Sequence, residues 1–118
     1  MMKRVFGVVI MMLVMVGSVN LNAELLPTSL AITVIDNLGN IQKGAKVALY
    51  DNEDDLFNEE DAIDQGRTDN KGRITFKKLK PKVYYVRATQ GKKTNEGEAE
   101  ITGKLISGRK NKVNIVIR

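Results

Sequence analysis

The 118-residue sequence has no cysteine, no histidine and no tryptophan, and only two prolines. Without cysteine there is no disulfide framework, no thiolate zinc site, no cysteine nucleophile and no lipid-modified cysteine. Without histidine, the commonest general base and the commonest transition-metal ligand are both missing. What is present is 42% hydrophobic and 28% charged, with a formal net charge of +5. That balance and length suit one compact domain and argue against disorder.

The averages conceal two unlike segments. All five methionines lie within the first fifteen positions, where Lys3 and Arg4 precede an apolar run from Val5 to Val16. Gly17, Ser18 and Asn20 then loosen the run, and Ala23 offers a small residue before Glu24. A basic start, an apolar middle and a small residue at the cut are the layout of a secretory signal peptide, expected to span residues 1–23. An uncleaved membrane anchor is the alternative. The run is shorter than the roughly 20 apolar residues a spanning helix needs, so no stable membrane insertion is expected after cleavage. Export to the periplasm or the extracellular space follows, without the cysteine a lipoprotein requires. Residues 24–28 form a short lead-in to a domain at 29–118.

That domain is dominated by short alternation bounded by Gly, Asn, Asp and Pro, the pattern of strands and tight turns. Leu30, Ile32 and Val34 alternate with Ala31 and Thr33 and stop at Asp36-Asn37-Leu38-Gly39-Asn40. Val47 and Leu49, then Ile74, Phe76 and Leu79, then Val113, Ile115 and Ile117 give further one-sided strands. Val83 to Val86 is apolar on both faces and reads as a central strand covered on both sides at one end. A short extended piece near Gly66 to Thr68 and a weak strand near Glu98 to Thr102 complete an expected all-β, antiparallel, seven-stranded Greek-key sandwich.

Only residues 51–65 break the rhythm. They hold eight of the fourteen acidic residues, whereas residues 66–118 carry fifteen Lys and Arg against four acids. Leu56, Phe57, Ala62 and Ile63 are candidate anchors for this acidic loop, with one helical turn expected near 58–63 under an Asn58 N-cap. A loop of this length in a compact domain is functional or mobile. Attraction between the loop and the basic body is the simplest electrostatic consequence.

Several stretches in order carry a family resemblance. Ile32 to Asp36, Gly39, Gly44-Ala45-Lys46-Val47-Ala48-Leu49-Tyr50, Thr68-Asp69-Asn70-Lys71-Gly72-Arg73-Ile74-Thr75-Phe76, Leu79 and Tyr84-Tyr85-Val86-Arg87-Ala88 together resemble a prealbumin-like or carboxypeptidase regulatory-like domain. Such domains are related to the Cna-B type repeats of surface proteins. The resemblance covers about residues 29–118, is nearest to the short exported bacterial type, and implies an immunoglobulin-like sandwich. The residues that carry it, Asp36, Gly39, Gly44, Ala45, Asp69, Gly72, Phe76, Leu79 and Tyr85, have turn and core chemistry and are expected to build the fold. Cna-B type repeats can carry a Lys to Asn isopeptide crosslink, but residues 30–36 contain no Lys, although Asn111 and Asn114 stand near the last strand. The hydrolase branch of the transthyretin-like proteins depends on His and a Tyr-Arg-Gly-Ser tail, and neither is here. No enzyme and no cofactor are therefore expected.

Asp51, Glu53 and Asp55 alternate like the start of a calcium loop, yet an EF-hand would need Gly at 56 and Glu at 62, where Leu56 and Ala62 stand. An irregular calcium site and a solvated acidic loop both remain open. Lys77, Lys78, Lys80 and Lys82 suggest a polyanion, but on an outward strand face they more simply block edge pairing, so nucleic acid is not expected. Anionic glycans or lipid headgroups suit them better. Two functions of different class follow: a non-catalytic structural or protein-interaction module meeting another envelope or extracellular protein, and a carbohydrate-binding module. A sugar platform would be drawn from Tyr50, Phe57, Tyr84 and Tyr85.

Overall fold

The computed structural model describes residues 27–118. The expected signal peptide and most of the lead-in therefore lie outside the described residues. Two sheets face one another. One has three strands: β1 (Thr28–Asp36) lies between β4 (Arg73–Leu79) and β7 (Lys110–Ile117). The other has four, in the order β3 (Asp64–Arg67), β2 (Lys46–Tyr50), β5 (Tyr85–Gln90) and β6 (Lys93–Thr94). The chain changes sheets between β1 and β2, β3 and β4, β4 and β5, and β6 and β7.

Period-two alternation places one side chain in two between the sheets. Leu30, Ile32 and Val34 of β1 meet Val47, Leu49, Val86 and Ala88 from the opposite sheet. Phe76, Ile115 and Ile117 complete that core, and Leu79 and Ile74 pack against its margin. With no disulfide available, this aliphatic burial is the main stabilising term.

Turn chemistry sets the strand ends. The buried Asp36 carboxylate accepts from the backbone N–H of Leu38 and Asn40, each at 2.9 Å. Asp69 does the same for Lys71 and Arg73 at 2.8 and 3.0 Å. Those donors, led by Asn40 and Arg73 respectively, hold both carboxyls below the usual carboxylate range. Gly72 closes the second turn at φ 74°, where an added Cβ would stand 3.1 Å from the Val34 carbonyl oxygen. A side chain there meets both a strained dihedral and the neighbouring backbone.

Three expectations are corrected. First, the sheets are not wholly antiparallel: β1 and β7 run parallel from Ser29 opposite Lys110 to Asp36 opposite Ile117. Residues 95–109 return the chain from the four-stranded sheet to the starting end of β1, so that β7 enters beside β1 in the same direction. Second, no strand forms at 98–102, where the pairing is an isolated bridge between Tyr85 and Ile101. Asn95, fully buried, takes over instead: its side chain accepts from Ala88 N at 2.9 Å and donates to Val86 O at 2.9 Å. A side-chain amide thus satisfies β5 backbone groups that a neighbouring strand would have paired. Third, the acidic loop contains a helix, α1 (Glu53–Asn58), that starts before the expected turn and ends on Asn58.

Candidate functional site

The sandwich presents two outer faces of opposite character. On the four-stranded sheet, the outward residues Ala48, Tyr50 and Tyr85 form a small second cluster with Leu56 and Ala62. Local sequence explains why α1 settles there. Asn52 is the N-cap, with Oδ1 accepting from Asp55 N at 2.8 Å, and Glu53, Asp54 and Asp55 occupy the first turn, where the helix dipole favours negative charge. Leu56 is the one buried residue of the helix, and its burial contributes about 2 kcal/mol. Glu59 ends it in the left-handed region at φ 53°.

Of the four expected anchors, Leu56 and Ala62 pack on the sheet, while Ile63 is exposed and Phe57 is 83% exposed. Phe57 projects beside a groove of about 440 Å³ that also touches Glu53, Asp54, Arg87 and Glu100. Arg87 is buried at 8% exposure and its Nη1 lies 2.7 Å from Glu100 Oε2. The contact is ionic, off the line of the N–H bonds, so Nη1 has no hydrogen-bond acceptor. Tyr50, beneath α1, has its phenol pushed up, first by burial and then by the negative charge of Glu59.

The calcium candidates are dispersed into local roles. Asp51 pairs with Lys82, Asp55 accepts from Asn52 Nδ2 at 3.1 Å, and Glu53 faces the groove. Among the described residues, no three His, Cys, Asp or Glu side chains gather as a metal ion requires. The expected attraction between loop and body reduces to that Asp51–Lys82 pair among the described residues. The other ion pairs join Arg87 to Glu100, Lys93 to Asp36 and Arg118 to Glu98.

The opposite outer face, on the three-stranded sheet, is a bare trough. Its floor is β1, with Ser29, Ala31 and Thr33 outward, and its walls are basic: Arg73 and Lys77 from β4, Lys110 and Lys112 from β7. Two strand spacings of about 4.8 Å set the walls about 10 Å apart at the Cα level. No acidic residue lines either of the two depressions along it, of about 200 and 560 Å³.

The isopeptide geometry has no amine. Every described lysine is exposed or half-buried, and β1 turns only aliphatic side chains to the core. Asn111, at the start of β7, is occupied in holding the preceding turn, donating to Ser29 O and Ile106 O, both at 3.1 Å, and Asn114 lines the trough. Among the candidate sugar-stacking rings, Tyr50 and Tyr84 are buried and Tyr85 is half-buried under α1. Phe57 alone of the four stands free.

Sequence reasoning missed Arg87, Asn95 and the trough. Arg87 enters the sequence reading only within the resembling stretch 84–88, Asn95 does not enter it, and the trough needs the parallel β1–β7 pairing to bring Lys110 and Lys112 across from Arg73. A charged residue directly after Tyr84-Tyr85-Val86 was the available signal for Arg87, since it falls on the outward face between apolar neighbours.

No protein-family model matches the chain, and no curated protein does. Solved structures do. The Bacillus anthracis TIE protein matches at 19% identity and TM-score 0.56 over 78% of this chain and 17% of its own. BcpA, the major pilin subunit of Bacillus cereus, matches at 19% identity and TM-score 0.54 over 78% of this chain and 30% of its own. The Streptococcal ancillary pilin matches at 15% identity and TM-score 0.53 over 80% of this chain and 33% of its own. This chain thus spans a third or less of the length of each of these three proteins. At these identities the likeness is one of fold: the chain is a β-sandwich, consistent with the prealbumin-like resemblance of its sequence.

Proposed function

We propose that the chain is a non-catalytic, exported structural or protein-interaction module of the cell envelope or extracellular space. The observation that carries this is Phe57, an aromatic ring 83% exposed on a helix that Leu56 fixes to the sheet. Exposed large aromatics held on rigid supports and rimmed by polar groups are the anchors of protein interfaces. Fold likeness to pilin subunits supports an extracellular setting, and no described helix is long and apolar enough to cross a membrane. The sugar-binding alternative is weaker, because only one of its four candidate rings is free to stack.

The test is photocrosslinking from a benzophenone side chain at position 57, in source cells carrying the full-length gene. The reading expects discrete protein adducts in the envelope or medium fraction. Adducts that resist protease but yield to glycosidase, or the absence of any adduct, would contradict it.

A further inference from the structure

In a regular strand, consecutive side chains point to opposite faces. Lys77 and Lys78 are consecutive, yet both line the same depression, with Ser29 and Lys110. A bulge in β4 does this: pairing passes from Thr28 opposite Leu79 to Leu30 opposite Phe76, so two lysines together oppose Ser29. Lys78 adopts φ 57°, a left-handed conformation that costs a side-chain-bearing residue about 1 to 2 kcal/mol and glycine almost nothing. Bulges that re-aim a side chain at such a cost mark functional surfaces. Here the result is an additional cation on the trough wall. None of Arg73, Lys77, Lys78, Lys110 and Lys112 has a carboxylate within ion-pair distance among the described residues.

The acidic face has the reciprocal form. Phe57 stands out from α1 with Glu53 and Asp54 one turn before it and Glu60 and Asp61 just beyond the end of the helix. Glu59 and Asp61 also have positive φ, at 53° and 55°. The positive-φ residues other than glycine among the described residues are thus two acids beside the knob and one lysine in the trough. The small floor residues leave room for a ring between basic walls, most of all at the Ser29 end, where the depression beside Thr75, Lys77, Lys78 and Lys110 has the larger volume, about 560 Å³ against about 200 Å³ over Ala31 and Thr33.

We propose that the acidic α1 segment of one copy, with Phe57 as its anchor, docks into the basic trough of a second copy. This deepens the interaction reading, and rests on it, by naming the partner. The trough is an outer face of one sheet and α1 covers the outer face of the other, so donor and acceptor patches lie on opposite sides of the same molecule. Such a contact is heterologous and leaves one knob and one trough free at each step, giving open-ended association instead of a closed dimer. An aromatic anchor inside a ring of opposite charges supplies both affinity and orientation. The contact is small, so it is a weak one.

The test is sedimentation velocity on chain expressed from the full-length gene, from about 10 µM to about 1 mM. Wild type at low salt is expected to gain mass with concentration beyond twice the monomer, and to return to monomer at about 1 M salt, where charges are screened within about 3 Å. Glu53→Lys/Asp54→Lys and Lys110→Glu/Lys112→Glu, all at exposed positions, are each expected to be monomeric alone and to associate when mixed. Phe57→Ala is expected to weaken wild-type association without lowering the melting temperature. A monomeric wild type at every concentration, or a mixture of the two reversed variants that stays monomeric, overturns the proposal. So does saturable binding of dextran sulfate that depends on Lys110 and Lys112 in a chain that never self-associates, since the trough then takes an anionic polysaccharide. If position 57 crosslinks to a different protein while the chain stays monomeric, self-association falls and the interaction reading stands.

Discussion

The two outer faces of this sandwich start from the same material, a sheet whose inner side chains are aliphatic, and are finished in opposite ways. One is covered by an added layer, α1 with the cluster around Leu56 and the buried Arg87, and its edge is closed by the Asn95 amide that stands in for a strand. The other is left bare, and its character comes from a parallel strand pair and a bulge that turns Lys78 outward. A covered face is held by packing and buried hydrogen bonds, whereas a bare face is held by the ladder alone. Substitutions on the first should therefore be costly and on the second nearly free.

Asn95→Ala should show the contrast most strongly. It removes bonds to Ala88 N, Val86 O and Ala99 O and leaves buried groups of β5 without partners. Urea unfolding should record a loss of about 3 kcal/mol. A loss below about 1 kcal/mol would mean that water replaces the amide and that this edge is open. Leu56→Ala comes next, at about 2 kcal/mol, while Thr33→Ala on the trough floor should stay within about 0.5 kcal/mol. Equal losses at the two positions would mean that the covered and bare faces contribute alike to stability.

Lys78→Gly tests the bare face from the other direction. Relieving a φ of 57° should stabilise the fold by about 1 kcal/mol in the same assay. A destabilised variant would mean that the lysine packs in the fold and is not held there for its charge. The smallest effect concerns the turns. Asp36 and Asp69 have carboxyls below their unfolded value of 3.8, so the unfolded chain binds more protons as the pH falls. Their contribution is complete above that value and is lost as the pH falls through the lower folded one. Asp36→Asn with Asp69→Asn should flatten the acid limb of a stability-pH curve below about pH 4. An unchanged limb would place the acid sensitivity elsewhere.

Much of the core could be read directly from alternation, because Leu30, Ile32, Val34, Val47, Leu49 and Phe76 can satisfy period two in only one way. The Asp-to-Gly turns were legible for a similar reason: Asp36 and Asp69 accept from the backbone two and four residues on, so their chemistry is local. What could not be read depends on residues far apart in sequence. The parallel direction of β7 is set by the path of 95–109, which has no periodic pattern. Asn95 looks like any loop asparagine until β5 is beside it. The start of α1 was expected at Asn58 and lies six residues earlier, at Asn52. Asn52 caps the helix and so sets Leu56 against Ala48 and Tyr50, a match that the local sequence does not contain. Both charged faces were visible as composition, in an acidic loop and a basic remainder, but their placement on opposite sides of one molecule was not.

In the proposed self-association these two faces complement each other. Amide NMR spectra of the isotopically labelled wild-type chain, recorded over a dilution series at low salt, test it most directly. Signals of residues 53–61 should shift together with those of 29–33, 73–78 and 110–112, along one concentration dependence, while buried Val47 and Val86 stay fixed. Shifts confined to one face, or none across the series, would contradict the account.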